Sequence, residues 1–63
     1  MVTYEEFLDS ELRHELANIQ YDPHVGIVYG TANIGFSHKG ISYYPGAQVA
    51  YHLDSDVLRY RRS

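Results

Sequence analysis

Sixty-three residues with a net charge of -3 and no cysteine leave room for one small domain, and exclude disulfides and thiolate metal sites. Such a domain buries only about 60% of the surface its unfolded chain exposes, which leaves little for a walled substrate cavity. The missing cysteines point to a reducing, cytoplasmic setting; no uncharged apolar run reaches the roughly 18 residues of a membrane span, and the first residues lack the basic start and apolar core of a signal peptide.

A single helix is predicted from Thr3 to Gln20. Thr3-Tyr4-Glu5-Glu6 has the spacing of a capping box, in which the Thr3 hydroxyl accepts from the Glu6 amide and the Glu6 carboxylate reaches back. Placed at helical period, Tyr4, Leu8, Leu12, Leu16 and Ile19 share one arc about 120° wide. Asp9 and Arg13, four apart, have the spacing of an ion pair on its flank. Phe7 lies off the arc, either packed on a neighbouring loop or sheet edge or exposed as an aromatic anchor for a partner. Tyr21-Asp22-Pro23 ends the helix, because proline drives the preceding residue into extended backbone.

From His24 onward, β-branched and aromatic residues punctuated by glycine predict strands at 25–29, 33–37, 41–44, 48–53 and 57–61. His38-Lys39-Gly40 closes a hairpin, with Gly40 supplying positive φ, and Pro45-Gly46 makes the next turn. Val49, Tyr51 and Leu53 share one strand face. After the polar turn Asp54-Ser55-Asp56, residues 57–61 read as a strand in preference to a one-turn helix. The expected fold class is α+β: one domain, 1–63, with an N-terminal helix packed on a four- to five-stranded antiparallel sheet in two layers.

Motifs of chemistry are missing. His14, His24, His38 and His52 show no metal-ligand spacing, so no metal is expected. His52, Asp54 and Ser55 are neighbours around a turn and better explained by turn chemistry than by a triad. Glu11 and Glu15 on a helix surface stay ionised and make a poor acid/base pair. Gly30-Thr31-Ala32-Asn33-Ile34-Gly35 has the glycine spacing of a phosphate loop without the Lys-Ser/Thr that must follow. No enzyme activity and no cofactor are expected.

What remains is surface. Residues 1–22 carry Glu5, Glu6, Asp9, Glu11, Glu15 and Asp22 against Arg13 alone, while residues 23–63 carry Asp54 and Asp56 against Lys39, Arg59, Arg61 and Arg62. An acidic end and a basic tail follow. Seven tyrosines exceed what so small a core can hide, and tyrosine supplies contact area at low entropic cost. The expectation is a protein-binding inhibitor or modulator whose partner is a larger host protein or complex with a basic groove. Its contacts are expected from Glu6, Phe7, Asp9, Glu11, Glu15, Tyr43 and Tyr44. Acidic, tyrosine-rich domains of this size are common among phage and mobile-element proteins that block host nucleic-acid-handling or defence machinery, anti-CRISPR proteins included; that parallel is one of size and composition. Eight acids are too few for a full DNA mimic. A second reading is a single-stranded nucleic-acid module using Lys39, Tyr43, Tyr44, Tyr51, Arg59, Arg61 and Arg62. A third is a homo-oligomeric structural subunit, with exposed strand edges pairing into a homodimer.

Overall fold

The computed structural model describes residues 1–61. Two short helices open the chain where one long helix is predicted. The first, α1 (Tyr4–Leu8), begins with the full capping box: the Glu6 amide donates to Thr3 Oγ1 and the Thr3 amide to Glu6 Oε1, both at 3.1 Å. It stops at Asp9-Ser10, residues that bond readily to nearby backbone and so disfavour a helix interior. Ser10 is extended and its hydroxyl donates to the Phe7 carbonyl at 2.6 Å, satisfying one of the acceptors a helix end leaves open. A second single turn, α2 (Glu11–Glu15), gives way at Leu16 to extended backbone.

The segment predicted as the helix's second half is therefore strand β1 (Leu16–Asp22). Burial explains the choice. The break at Asp9-Ser10 puts Phe7 fully inside the core and leaves Leu8 39% exposed, the reverse of the helical arc. As a strand, residues 16–22 gain the cross-strand pairs Leu16 with Ala32 and Tyr21 with Val28, and Tyr21 also stacks on Tyr4 of α1 at 4.1 Å between ring centroids. An isolated helix of that length is marginal in water.

The remaining strands are β2 (Ile27–Ala32), β3 (Phe36–His38), β4 (Ile41–Tyr43), β5 (Gln48–His52) and β6 (Val57–Tyr60). β2, β5 and β6 join β1 in a four-stranded antiparallel sheet of order β1-β2-β5-β6, while β3 and β4 make a separate hairpin. β2 starts later than the predicted 25–29 because Val25 and Gly26 belong to the turn, where the Gly26 amide donates to the Asp22 carbonyl at 2.9 Å. Of the predicted 33–37, Phe36 and Ser37 are strand, and Asn33 to Gly35 connect. Lys39 and Gly40 both take positive φ, as a two-residue hairpin turn of type I′ requires. Residues 57–60 are a strand, as expected.

In β1 the register shifts between Ala17 and Gln20, with Asn18 at φ 54. This bulge closes over Gly30, where a Cβ would sit 3.4 Å from both Ile19 Cγ2 and Leu16 Cβ. Bulging twists an edge strand away from edge-to-edge pairing.

One sheet face carries Leu16, Val28, Ala32, Val49, Tyr51 and Leu58 and is covered by two different pieces of chain. Phe7 and Leu12 come from the helices, and Tyr43 with the half-buried Phe36 from the β3–β4 hairpin. The expected single-helix layer is thus shared between helices and hairpin. By alternation, the opposite face presents Gln20 and Asp22 from β1, Ile27, Tyr29 and Thr31 from β2, Gln48, Ala50 and His52 from β5, and Val57 and Arg59 from β6.

Candidate binding surface

Phe36, Tyr43, Tyr60 and Tyr44 form a ladder of rings that runs from core to solvent. Successive centroids are 5.1, 4.9 and 5.5 Å apart, with interplanar angles of 21°, 35° and 25°. Exposure rises along it, from 2% at Tyr43 to 42% at Tyr60 and 62% at Tyr44. Hydroxyls anchor the middle rungs: Tyr43 donates to the Leu58 carbonyl at 2.7 Å and Tyr60 to the Ser42 carbonyl at 2.6 Å. Burial, and then the neighbouring Tyr60, hold the Tyr43 hydroxyl above the usual tyrosine pKa.

Beside the exposed end of the ladder lies an open groove of about 580 Å³ lined by Tyr44, Gly46, Gln48, Tyr60 and Arg61. Gly46, at φ 86, makes the turn that brings Tyr44 alongside β5, and its amide donates to the Ala32 carbonyl at 2.9 Å. The Arg61 amide donates to the Gln48 carbonyl at 2.7 Å, and its guanidinium lies 4.5 Å over the Tyr29 ring. Beyond that guanidinium a smaller hollow of about 130 Å³ continues past Gln48 to Gln20, Tyr29 and Thr31. Ring faces, amides and a guanidinium are thus contiguous, a set that stacks planar groups and holds anions.

Several predicted contact residues lie elsewhere. Phe7 and Tyr43 are core residues, at 0% and 2% exposure, and are withdrawn as contact candidates. Tyr51 is buried too, with its hydroxyl bonded to Asp56 Oδ1. Lys39 turns to the same aspartate, donating to its carbonyl at 2.7 Å and to Oδ2 at 3.0 Å. Neither Tyr51 nor Lys39 therefore joins Arg59 on the opposite face. The Tyr51 bond, and then Lys39, hold the Asp56 carboxyl below the usual range, while burial first and Asp56 second push the Tyr51 hydroxyl far up. Arg62 lies outside the described residues.

Glu6 stands on α1 and Glu11 and Glu15 on α2, Asp9 caps the end of α1 where the predicted helix breaks, and Tyr44 is exposed. Glu11 and Glu15 border a cleft of about 140 Å³ against β3, which His38 also lines. The His38 Nε2 is buried with no hydrogen-bond partner. Among the described residues no three His, Asp or Glu side chains gather as a metal site needs. No helix of the described residues is long and apolar enough to cross a membrane.

Tyr29, Gln48 and Tyr60 were missed as site residues. The alternation of 27–32 and 48–52 was the signal for the first two, because it sets Tyr29 and Gln48 on the face away from Val28 and Val49.

No family model matches the chain, and no curated protein or solved structure does either.

Proposed function

We propose that the chain is a non-catalytic binding module, a small modulator that acts by covering part of a larger, nucleic-acid-handling or defence complex in a host cytoplasm. The observation that carries this reading is the segregation of charge across the sheet. Glu5 and Glu6 on α1, Asp9 at its C-cap and Glu11 and Glu15 on α2 lie over the core face, while Arg59 projects from the opposite face, with Asp22 at that face's far end. Of the other cations, Arg13 donates to the Leu16 carbonyl and Lys39 pairs with Asp56, the one ion pair among the described residues. Acids left unneutralised on one side repel one another, and they steer a basic partner toward that side.

The partner's basic groove meets the helices, and the cleft between α2 and β3 receives one of its lysines or arginines between Glu11, Glu15 and the unbonded His38. Blocking of this kind is how phage and mobile-element modulators, anti-CRISPR proteins among them, disable host machinery, and it requires no chemistry from the blocker. The test is affinity capture from host lysate with the wild-type chain and with Glu11→Lys/Glu15→Lys. A partner captured by the first and lost by the second supports the reading. A partner retained by the double variant but lost on Arg59→Ala/Arg61→Ala overturns it, because the working side is then the arginine side.

A further inference from the structure

We infer that the groove at the end of the ring ladder is a site for single-stranded nucleic acid, with a base stacked on the open face of Tyr44 and the adjoining phosphates held by Arg61 and Arg59. This site lies apart from the acidic helices and goes beyond the reading above. Three observations converge on it. The first is the ladder, whose last step stacks Tyr60 on Tyr44 at 25° and ends in a tyrosine 62% exposed, so that one more planar group continues the stack.

The second is charge. Arg13 and Lys39 are engaged within the fold, whereas Arg61 is exposed with its guanidinium over the Tyr29 ring, and a guanidinium in that position can still donate to an anion. Arg59 lies on the same sheet face two residues away. The acids of that face are at its far end: Asp22 pairs with Ile27, four residues along β2 from the Thr31–Gln48 pair beside Arg61, which is roughly 13 Å. Glu11 and Glu15 line the cleft on the helix side. The groove is therefore locally cationic in a chain of net charge -3.

The third is the pair of amides. Gln48 lines both the groove and the hollow beyond Arg61, and Gln20 the hollow, giving donors and acceptors to a base edge. A duplex keeps its base faces covered and needs many more phosphate contacts for affinity, so the ligand is single-stranded.

The experiment is fluorescence anisotropy with labelled single-stranded dodecamers of thymidylate and of uridylate, alongside a duplex of the same length, over a salt series. Binding of either single strand in preference to the duplex is expected, with a log–log salt slope of about -1.4 for two phosphate contacts. Tyr44→Ala should weaken binding on the order of tenfold, while Tyr44→Phe keeps it. Arg61→Ala should lower the affinity and reduce the slope by about 0.7. Circular dichroism confirms that each variant is folded. No single-strand binding up to millimolar protein, or binding indifferent to both Tyr44→Ala and Arg61→Ala, overturns the inference. Either failure leaves the acidic-face reading standing, because that is decided by protein capture and by charges on the other side.

Discussion

Tyr43 and Tyr60 clasp each other's strands: the Tyr43 hydroxyl donates to Leu58 of β6, and the Tyr60 hydroxyl donates back to Ser42 of β4. No backbone ladder joins the β3–β4 hairpin to the four-stranded sheet, so these hydroxyls and the packed, tilted rings do that work. The bond from the Arg61 amide to the Gln48 carbonyl explains why Leu58 is available. Antiparallel pairs alternate, so that bond turns the polar backbone of Leu58 and Tyr60 away from β5. Tyr43 thereby caps part of an edge that otherwise invites another strand, and the bulge at Ala17–Gln20 protects the other edge. Both features make a dimer through strand edges the less favoured use of this surface.

Removing one hydroxyl at a time measures the clasp. Tyr43→Phe strands the Leu58 carbonyl beside a buried ring and should lower stability by about 1–2 kcal/mol. Tyr60→Phe, at a more exposed position, should lower it by about 0.5 kcal/mol. Urea melts of both single variants and the double variant check this. Equal losses at the two sites would mean that burial of the Tyr43 bond contributes nothing extra.

The broken helix makes a second, opposed pair. Phe7→Ala should cost about 3–5 kcal/mol, enough to unfold much of a domain this small. Leu8→Ala should stay within about 0.5 kcal/mol. If Phe7→Ala proves too unstable to study, Phe7→Leu should cost under about 1.5 kcal/mol and remain measurable. Thermal melts in which Leu8→Ala is the more damaging variant would restore the continuous helix.

That helix shows where sequence reasoning reached and where it stopped. The capping box at Thr3 and Glu6, the Lys39-Gly40 turn and the strand at 57–60 were legible because each is local chemistry, complete within a few residues. The end of the helix was not. Leu12, Leu16 and Ile19 satisfy the helical period, and the bulge at Asn18 erases the period-two alternation that marks a strand. Phe7 was then left off the apolar face, although it is the better-buried residue of α1. At the candidate site, Arg59, Arg61 and Tyr44 were legible as surface residues. Their neighbours Gln48 and Tyr29 were not, since only the pairing of β5 with β2 and β6 brings them to Arg61, and no local spacing encodes it.

Asp56 gives the stability a pH dependence. Its carboxyl is held below the usual range by the Tyr51 hydroxyl and then by Lys39, so the folded chain binds a proton there less readily than the unfolded one. The contribution is full above the unfolded value of about 4 and is lost as pH falls through the lower folded value. The side chain is 46% exposed, and solvent screening keeps the effect below about 1 kcal/mol. Tyr51 works in the opposite direction: its raised pKa stabilises the fold at neutral pH, and that share is lost as pH rises above the unfolded value of 10.0. Asp56→Asn keeps a residue that tolerates the positive φ of 56° and should flatten the acid limb. An unchanged acid limb in urea melts from pH 6 to 2.5 (about the range over which such a carboxylate titrates) would remove Asp56 from this role.

On the proposed reading, a basic partner approaches the acidic side under electrostatic steering. Opposite charges accelerate encounter, and salt screens them over about 8 Å at physiological ionic strength. Glu11 and Glu15 sit on α2 without an ion pair, so Glu11→Lys/Glu15→Lys should change folding stability by no more than about 0.5 kcal/mol per site. Association with the captured partner should nevertheless slow by about tenfold or more, and its salt dependence should flatten. A contact residue behaves differently: truncating a packed side chain acts mainly on dissociation. Stopped-flow or surface-binding kinetics across a salt series separate the two. If the double reversal leaves the association rate and its salt dependence as they were, the α2 acids face away from the partner, and its contact lies on the Arg59–Arg61 side of the sheet.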